Sequence, residues 1–479
     1  MNQTAAMLRA QHKRMFFSRG LAFALTSGLC YGLYTAFLTL GETQAPWGTW
    51  FAGESALSSF TVIFALAALA AGINDVFSGI WSLSVCAKNG QLTDLRKTVN
   101  TKPGRIMMLC ALVGGPGATV CYVIALNSAT ASGNPGVIVP IAALNCAIGA
   151  ILGRVLLKQK LAAHTVVGIV ICLVSAALVG GASFAIAGSG ALIGCLFAFL
   201  AAFGWGFEGC IAGFGTALIE YHIGITIRQV TAGVLELVVM FPLLTLIGGN
   251  GASIPEILRS VIANPSVLIF VISGFFAMPA YSFWYKGNSM CGTALGMACN
   301  GTYAFWGPFF IWLILGAFNI GGMSTDYPPL GAAQWIGALV MILGIFVISV
   351  NPLSLFAKNR KGEKASESTF VPAAGNTEQG SVGEATANGK QPLYYAIMLH
   401  FASGETDCAS GVINSLKNGY ANHKQLESSN VDEALATAKE NGLLDEAGSD
   451  VDKDGKLRIW YQMNPFGKQM VDKYVLRAD

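Results

Sequence analysis

Long unbroken apolar runs, with polar residues gathered between them, dominate the first 350 residues. Ten of these runs reach the ~20 residues of helix that a bilayer requires. They lie near 20–40, 57–85, 105–127, 133–155, 164–183, 190–216, 226–248, 266–287, 291–317 and 331–350. None alternates polar and apolar positions in segments of about ten residues, as the strands of a membrane barrel would. Beyond residue 356 the pattern changes. Residues 357–391 are polar and rich in Gly, Ser and Ala, the composition of a flexible linker. Residues 392–479 hold short amphipathic segments. Asn430 and Glu433 stand at capping-box spacing before a helix that stops at Gly442. Leu457, Ile459, Tyr461 and Met463 alternate with polar residues, a strand signature. Asn464-Pro465 then opens a last helix with Met470, Val471, Tyr474 and Val475 on one face. The expected fold is an all-α polytopic membrane protein followed by a small α-rich cytoplasmic domain.

Composition sharpens this division. Hydrophobic residues make up 53% of the 479 and charged residues only 11%, with a mean hydropathy of +0.56. A soluble domain carries about 25% charged residues, so an ordinary soluble enzyme is excluded. Residues 1–350 hold 15 Lys and Arg with 9 Asp and Glu, whereas residues 351–479 hold 14 and 17. Basic flanks resist translocation and so orient the spans. Arg9, Lys13, Arg14 and Arg19 precede span 1, and Lys88, Arg96, Lys97, Lys102 and Arg105 follow span 2. Arg154, Lys158 and Lys160 follow span 4, Arg228 and Lys286 flank spans 7 and 8, and Lys358, Arg360, Lys361 and Lys364 follow span 10. That is 18 on one side against Arg259 alone on the other. The expected location is the cell (cytoplasmic) membrane, multi-pass, with both termini in the cytoplasm and residues 1–19 as the N-terminal flank. The first apolar run is too long for a signal-peptide core and no clear cleavage site follows it, so it reads as retained. Ten of the 11 cysteines lie in or at the ends of spans, as small packing residues.

The spans also repeat. Gly20, Tyr31 and Gly32 match Gly194, Trp205 and Gly206 at an offset of 174. Pro116, Tyr122, Thr130, Ala131, Gly133 and Gly153 match Pro279, Tyr285, Thr293, Ala294, Gly296 and Gly316 at an offset of 163, and Gly168 then pairs with Gly337. Residues 20–183 and 190–350 therefore read as two five-helix repeats of opposite orientation, an arrangement that places a binding site at their midplane interface.

With this duplication, and with a Pro-containing fourth helix running into the 4–5 turn (137–180), the chain resembles the drug/metabolite transporter superfamily, in its EamA-like branch, over roughly residues 15–352. Where that family usually has a Gly-Glu pair at the 4–5 turn, this chain has Leu157-Lys158-Gln159-Lys160. The resemblance implies ten helices as two inverted repeats and a secondary carrier of small metabolites.

Ionisable residues at mid-bilayer cost at least ~2.5 kcal/mol on insertion scales, so those present carry information. Three acids fall within spans: Asp75, Glu208 and Glu236. Glu208 lies three residues after Trp205, and its repeat partner is Tyr34, so helices 1 and 6 can present Tyr31, Tyr34, Trp205 and Glu208 to one central space. Glu208 then binds a coupling proton or a cationic substrate group; the competing reading is a structural Glu bonded to nearby backbone. Asp75 is a further coupling-ion candidate that gates the cavity or caps a broken helix, against the plainer reading of a helix kink near the interface. Glu236 joins the coupling-ion candidates, against a structural link to Arg228 two turns away. Lys286 is a candidate for an anionic substrate group or a snorkelling anchor. Asn145 and Asn300 suit helix–helix hydrogen bonds, and Asn145 is also a substrate-binding candidate. Tyr281, Trp284, Tyr285, Tyr303 and Trp306 either line the cavity or sit at the membrane interface.

No phosphate-binding loop, HExxH or paired histidines appear, so neither an enzyme, a metal site nor a cofactor is expected. The leading expectation is a secondary active transporter of a small polar metabolite, with a proton as the first choice of coupling ion. The alternative is a membrane receptor or sensor that signals through its tail. The tail's order of helices, strand and helix is loosely similar to a winged-helix domain, but 9 basic against 13 acidic residues over 392–479 argue against nucleic acid. Asp450, Asp452, Asp454 and Gly455 open like a calcium loop, yet its twelfth position is Tyr461, so a solvated turn is expected. A regulatory protein, or the transporter itself, is the tail's expected partner.

Overall fold

The computed structural model describes residues 2–130, 138–156, 163–215, 218–291, 293–322, 331–349, 391–421 and 423–476. The first-half helices are α1 (Asn2–Thr43), α2 (Trp47–Phe51), α3 (Leu66–Lys88), α4 (Leu92–Val99), α5 (Lys102–Leu112), α6 (Val120–Thr130), α7 (Ile138–Ala142) and α8 (Asn145–Leu156). A continuous α9 (Ala163–Gly215) leads into α10 (Tyr221–Leu235), α11 (Phe241–Ile247), α12 (Ile254–Ala263), α13 (Val267–Cys291), α14 (Thr293–Asn300), α15 (Tyr303–Ile311) and α16 (Ala332–Ser349). Six helical runs are long and apolar enough to cross a membrane: Thr4–Thr43, Thr61–Lys88, Lys102–Ser128, Leu192–Cys210, Tyr221–Ile247 and Val267–Cys291. This is an α-helical membrane protein. The other four predicted spans correspond to shorter apolar helices, Ile138–Gly149, Ala163–Ser175, Tyr303–Ala317 and Trp335–Ile348. The 4–5 turn at 157–160, most of the second-half insertion 319–329 and the linker up to residue 390 lie outside the described residues.

Three departures from the sequence expectation bear on the site. First, predicted spans 5 and 6 run on as α9, 53 residues long. At 1.5 Å per residue that is ~80 Å, against a hydrocarbon core of ~30 Å. The stretch 184–189 contains Gly and Ser but no Pro, so nothing removes a backbone donor there. Second, predicted spans 4 and 9 are each broken, at residues 143–144 and 301–302. Third, π-helical turns interrupt the ladder at Thr61–Ala65, Val113–Thr119, Glu236–Met240 and Trp312–Ala317. Pro116 sits inside the second of these, where Thr119 Oγ1 donates to Gly114 O at 2.9 Å. A π turn is a common way to absorb a proline's missing donor.

Close approach between helices uses repeat-related glycines. A Cβ on Gly32 of α1 would lie 2.6 Å from Trp306 Cβ of α15, and one on Gly206 of α9 would lie 2.9 Å from Asn145 O of α8. Each glycine thus seats a long helix on one of the broken ones. With no hydrophobic driving force between helices in lipid, such small-residue contacts carry much of the association.

Residues 391–476 build a separate small core around α17 (Leu393–Ala402), α18 (Ala409–Tyr420), α19 (Ser428–Glu440) and α20 (Pro465–Val471). Strands β1 (Thr406–Asp407), β2 (Leu444–Val451) and β3 (Leu457–Met463) form an antiparallel sheet in the order β1-β3-β2. The β2–β3 hairpin turns where a solvated turn was expected: Asp452 Oδ1 accepts from Asp454 N at 3.0 Å and Lys456 N at 2.8 Å, with Gly455 at φ +79. β2 is a strand the alternation rule missed, because its sequence LDEAGSDV carries few apolar residues. The expected capping box is absent. α19 begins at Ser428 with Glu427 at its N-cap and no side-chain cap, so Asn430 and Glu433 lie within the helix and are free to face elsewhere.

This tail seats on one end of the bundle. Arg9 pairs with Glu446, and Lys13 approaches the same carboxylate at 3.8 Å. Asp94 accepts from Leu393 N at 2.9 Å, Thr101 Oγ1 meets Tyr395 OH at 3.0 Å, and Gln425 Nε2 donates to Asn89 O at 3.3 Å. The N-terminal flank, the α3–α5 connection and the tail therefore share one end.

Candidate functional site: a buried acid–arginine cluster beside a tyrosine cage

α10 starts at Tyr221, behind a Glu220 side chain that accepts from Ile223 N at 3.1 Å. This early start carries Arg228 into the bundle, where it is fully buried. The sequence had placed Arg228 in a basic flank. The apolar Ile223, Ile225 and Ile227 ahead of it were the available signal that the helix begins sooner.

Arg228 draws together two of the three acids predicted within spans. Its Nε donates to Glu208 Oε1 at 2.9 Å and its Nη2 to Glu208 Oε2 at 3.3 Å, while Nη1 reaches Asp75 Oδ2 at 3.0 Å. The same Nη1 also bonds Gln229, whose Nε2 donates to Ser78 Oγ at 2.7 Å. Asn74 Nδ2 steadies Asp75 Oδ1 at 3.0 Å, and Ser273 Oγ holds Asn74 at 2.7 Å. Tyr285 OH donates to Glu208 Oε1 at 3.4 Å. The forked, two-nitrogen grip on Glu208 suits a planar guanidinium and would be lost with Lys.

Glu236 completes the group differently. It opens a π-helical turn, is fully buried, and neither carboxylate oxygen has a hydrogen-bond partner. The structural link to Arg228 considered from sequence does not form. Among the described residues the cluster thus holds three carboxyls to one guanidinium. Charge balance in a low-dielectric site then requires two protons, or bound cations and protons that together supply two positive charges.

A cage of aromatics adjoins it. Tyr31 stacks on Tyr303 at 4.3 Å between centroids and meets Tyr34 at 5.0 Å, Trp205 at 5.8 Å, Tyr281 at 6.1 Å and Tyr122 at 6.3 Å. Tyr281 links cage and cluster, with Arg228 Cζ 4.3 Å from its ring centroid. Trp205 Nε1 donates to Gly114 O at 3.0 Å, and Tyr122 OH bonds Thr35 Oγ1 at 3.0 Å. The hydroxyls of Tyr31, Tyr34 and Tyr303 and the Trp284 indole N–H are buried with no partner. Unpaired buried donors cost ~1–3 kcal/mol each, so a group of them marks a place where a polar solute gains most by binding. Tyr122, Gln229 and Gly114 were not among the sequence candidates. A Cβ on Gly114 would run into the Glu208 carboxylate, so that glycine makes room for the acid.

Other candidates fall at the edges. Asn145 lies at the break between α7 and α8, where its Oδ1 accepts from Cys146 Sγ at 3.2 Å, and the same sulfur lies 3.0 Å from Met297 O. Asn300, at the second break, donates to Ser27 Oγ at 2.6 Å, which in turn bonds Ala280 O at 2.5 Å. Lys286 is not in the cluster. Its Nζ stands 2.8 Å from Glu433 of α19, at the end covered by the tail.

No family model matches this chain, and no curated protein does. One solved structure, described only as "Crystal structure of protein", is similar at 15% identity and a TM-score of 0.44, over 69% of this chain and 97% of its own. A TM-score that low carries no weight for fold or function.

Proposed function

We propose that the chain is a secondary active transporter that moves a small polar metabolite across the cytoplasmic membrane by alternating access, with a proton as coupling ion. One observation carries this reading: two membrane-buried carboxyls share a single guanidinium, and a third, Glu236, is buried near them without a partner, beside partnerless tyrosine hydroxyls. A purely structural ion pair needs one acid per arginine. A surplus of carboxyls is what a site needs if it is to take up and give back protons as it turns between the two faces.

The surrounding architecture supports it. Asp75 and Tyr31 come from the first half of the chain, Arg228, Glu208 and Tyr303 from the second, so the site lies between the halves. Broken helices, found here in spans 4 and 9, are the usual walls of carrier sites, because unwound backbone there faces solute instead of lipid. The reading includes ten spans as two inverted five-helix repeats, both termini cytoplasmic, membership of the EamA-like drug/metabolite transporters, and a winged-helix-like tail. The helix–strand–helix–helix–hairpin–helix order of residues 391–476 favours the last of these.

The deciding experiment is transport in proteoliposomes with Glu208→Gln. Uphill, pH-driven uptake is lost while exchange down a substrate gradient persists. Intact pH-driven uptake in that variant removes Glu208 from coupling. The receptor reading draws on the tail's docking against the bundle; solute binding with no counterflow would favour it.

A further inference from the structure

At the tail-covered end of the bundle lies a second polar site, separate from the cluster above. Its chamber has a volume of about 400 Å³ and is walled by Arg19, Lys286, Tyr221 and Gln91 on the bundle side and by Glu433 and Gln425 on the tail side. Two cations from different helices converge there on one carboxylate. Lys286 Nζ of α13 is 2.8 Å from Glu433 Oε1, and Arg19 Nη2 of α1 is 3.1 Å from Glu433 Oε2.

The bundle's half of this site is prebuilt. The Lys286 side chain is only 11% exposed, lies 4.5 Å from the Phe23 ring centroid and 4.8 Å from that of Tyr221, and donates to Tyr221 OH at 3.2 Å. Aromatic faces and a phenol hold its ammonium in one place, which a snorkelling anchor does not need. An ammonium this deeply placed calls for an anion. Glu220 of the bundle also lines the chamber, where it accepts from Ile223 N, but the carboxylate paired with Lys286 comes from α19, on a segment joined to the bundle through the polar stretch 357–391, so it is tethered and replaceable.

We propose that Arg19 and Lys286 form a binding site for a small soluble carboxylate ligand, and that Glu433 occupies this site as a tethered competitor. The tail closes this end of the bundle while Glu433 is in place, and a free carboxylate that displaces it loosens α19 from the bundle. The other walls fit a ligand with hydrogen-bonding groups beyond its carboxylate, since Gln91, Gln425 and Asn430 all line the chamber. A tethered group competes at an effective concentration in the millimolar range, so the site appears weak until the tether is removed.

The test uses the full chain in phosphatidylcholine nanodiscs, with glutarate as the probe. Glu433→Gln tightens glutarate binding at least tenfold by calorimetry. Adding Lys286→Gln, or the surface change Arg19→Gln should Lys286→Gln fail to fold, abolishes that gain. In the wild-type chain, saturating glutarate raises amide hydrogen exchange across 428–440. No tightening in Glu433→Gln, a gain that survives both cation substitutions, or unchanged exchange in 428–440 would each overturn the proposal. An equal rise in exchange from phosphatidylglycerol alone would overturn the assignment to a soluble ligand. These readouts need no transport, so they stand or fall apart from the coupling experiment with Glu208.

Discussion

Arg228→Gln isolates the energetics of the buried cluster. The wild-type guanidinium makes two bonds to Glu208 and one to Asp75, at 2.9, 3.3 and 3.0 Å. A pair of unit charges ~4 Å apart is worth about 4 kcal/mol at an effective dielectric of 20, and this attraction offsets the cost of taking the acids out of water. Gln keeps hydrogen-bonding capacity but removes the charge, leaving the ionised carboxylate of the cluster with no cation. Breaking a buried ion pair from one side costs about 3–5 kcal/mol, whereas removing all its charges together, with packing kept, is often near neutral. Arg228→Gln at pH 8 should therefore lower the unfolding free energy by about 3–5 kcal/mol, and the triple variant Arg228→Gln/Asp75→Asn/Glu208→Gln should recover to within about 1 kcal/mol of wild type. Equilibrium unfolding in mixed SDS and dodecyl maltoside micelles measures both. A loss below about 1 kcal/mol for the single variant, or a triple variant as unstable as the single one, refutes the argument that these three side chains form one charge-compensated unit.

Three further outcomes are expected. Gly114→Ala forces a methyl into the Glu208 carboxylate. It should cost about 1–3 kcal/mol and abolish uptake, and full uptake at an unchanged unfolding midpoint counts against the packing described. Burial pushes the Glu220 carboxyl, at the start of α10, from an ordinary 4.5 up to about 7, partly opposed by the nearby Lys286 ammonium. The unfolded chain then releases that proton first, so wild type loses stability as pH rises from about 4.5 to 7. Glu220→Gln should be the more stable chain at pH 8 and lose that advantage below pH 5, and a difference that does not change with pH in thermal melts would be the wrong result. Gly455 holds the β2–β3 turn at φ +79 with no neighbour in the way of a side chain. Gly455→Ala should cost about 1 kcal/mol through backbone strain alone, and a neutral effect in a melt of the tail transition would exclude that strain.

The chemistry of the centre was visible in the chain before its geometry was. Asp75, Glu208 and Glu236 stand out because acids are rare in apolar runs, and Tyr31, Tyr34 and Trp205 because a repeat offset puts them opposite one another. Arg228 departs from the basic-flank rule for a definable reason. Counting basic residues near span ends assumes they face water, and a cation seven residues into a helix violates that assumption when buried acids from other helices wait for it. Those acids lie 153 and 20 residues away, so no local pattern announces the pairing. The role of Lys286 was out of reach for a similar reason, since its partner Glu433 lies in a different layer of the molecule. The first break follows Pro140 and the second contains Gly301, but hydropathy alone reads past both and merges each pair of short helices into a span. The tail's β2 lacks alternation because its strand is partly exposed on both faces.

The π-helical turns have a consequence for movement. A π turn holds one residue more than an α turn, so when it migrates along a helix each residue it passes rotates by about 100° about the axis while the helix ends stay where they are. Gly114, which makes room for Glu208, lies within one such turn, and Glu236 begins another. The unpartnered acid and the glycine that shelters its paired neighbour thus occupy stretches of helix that can re-aim a side chain without moving the scaffold. Shifting the register at Glu236 by one residue would turn that carboxyl about its helix axis while Glu208, on the uninterrupted α9, keeps its place against Arg228, so one proton address moves inside a bundle whose outer packing stays intact.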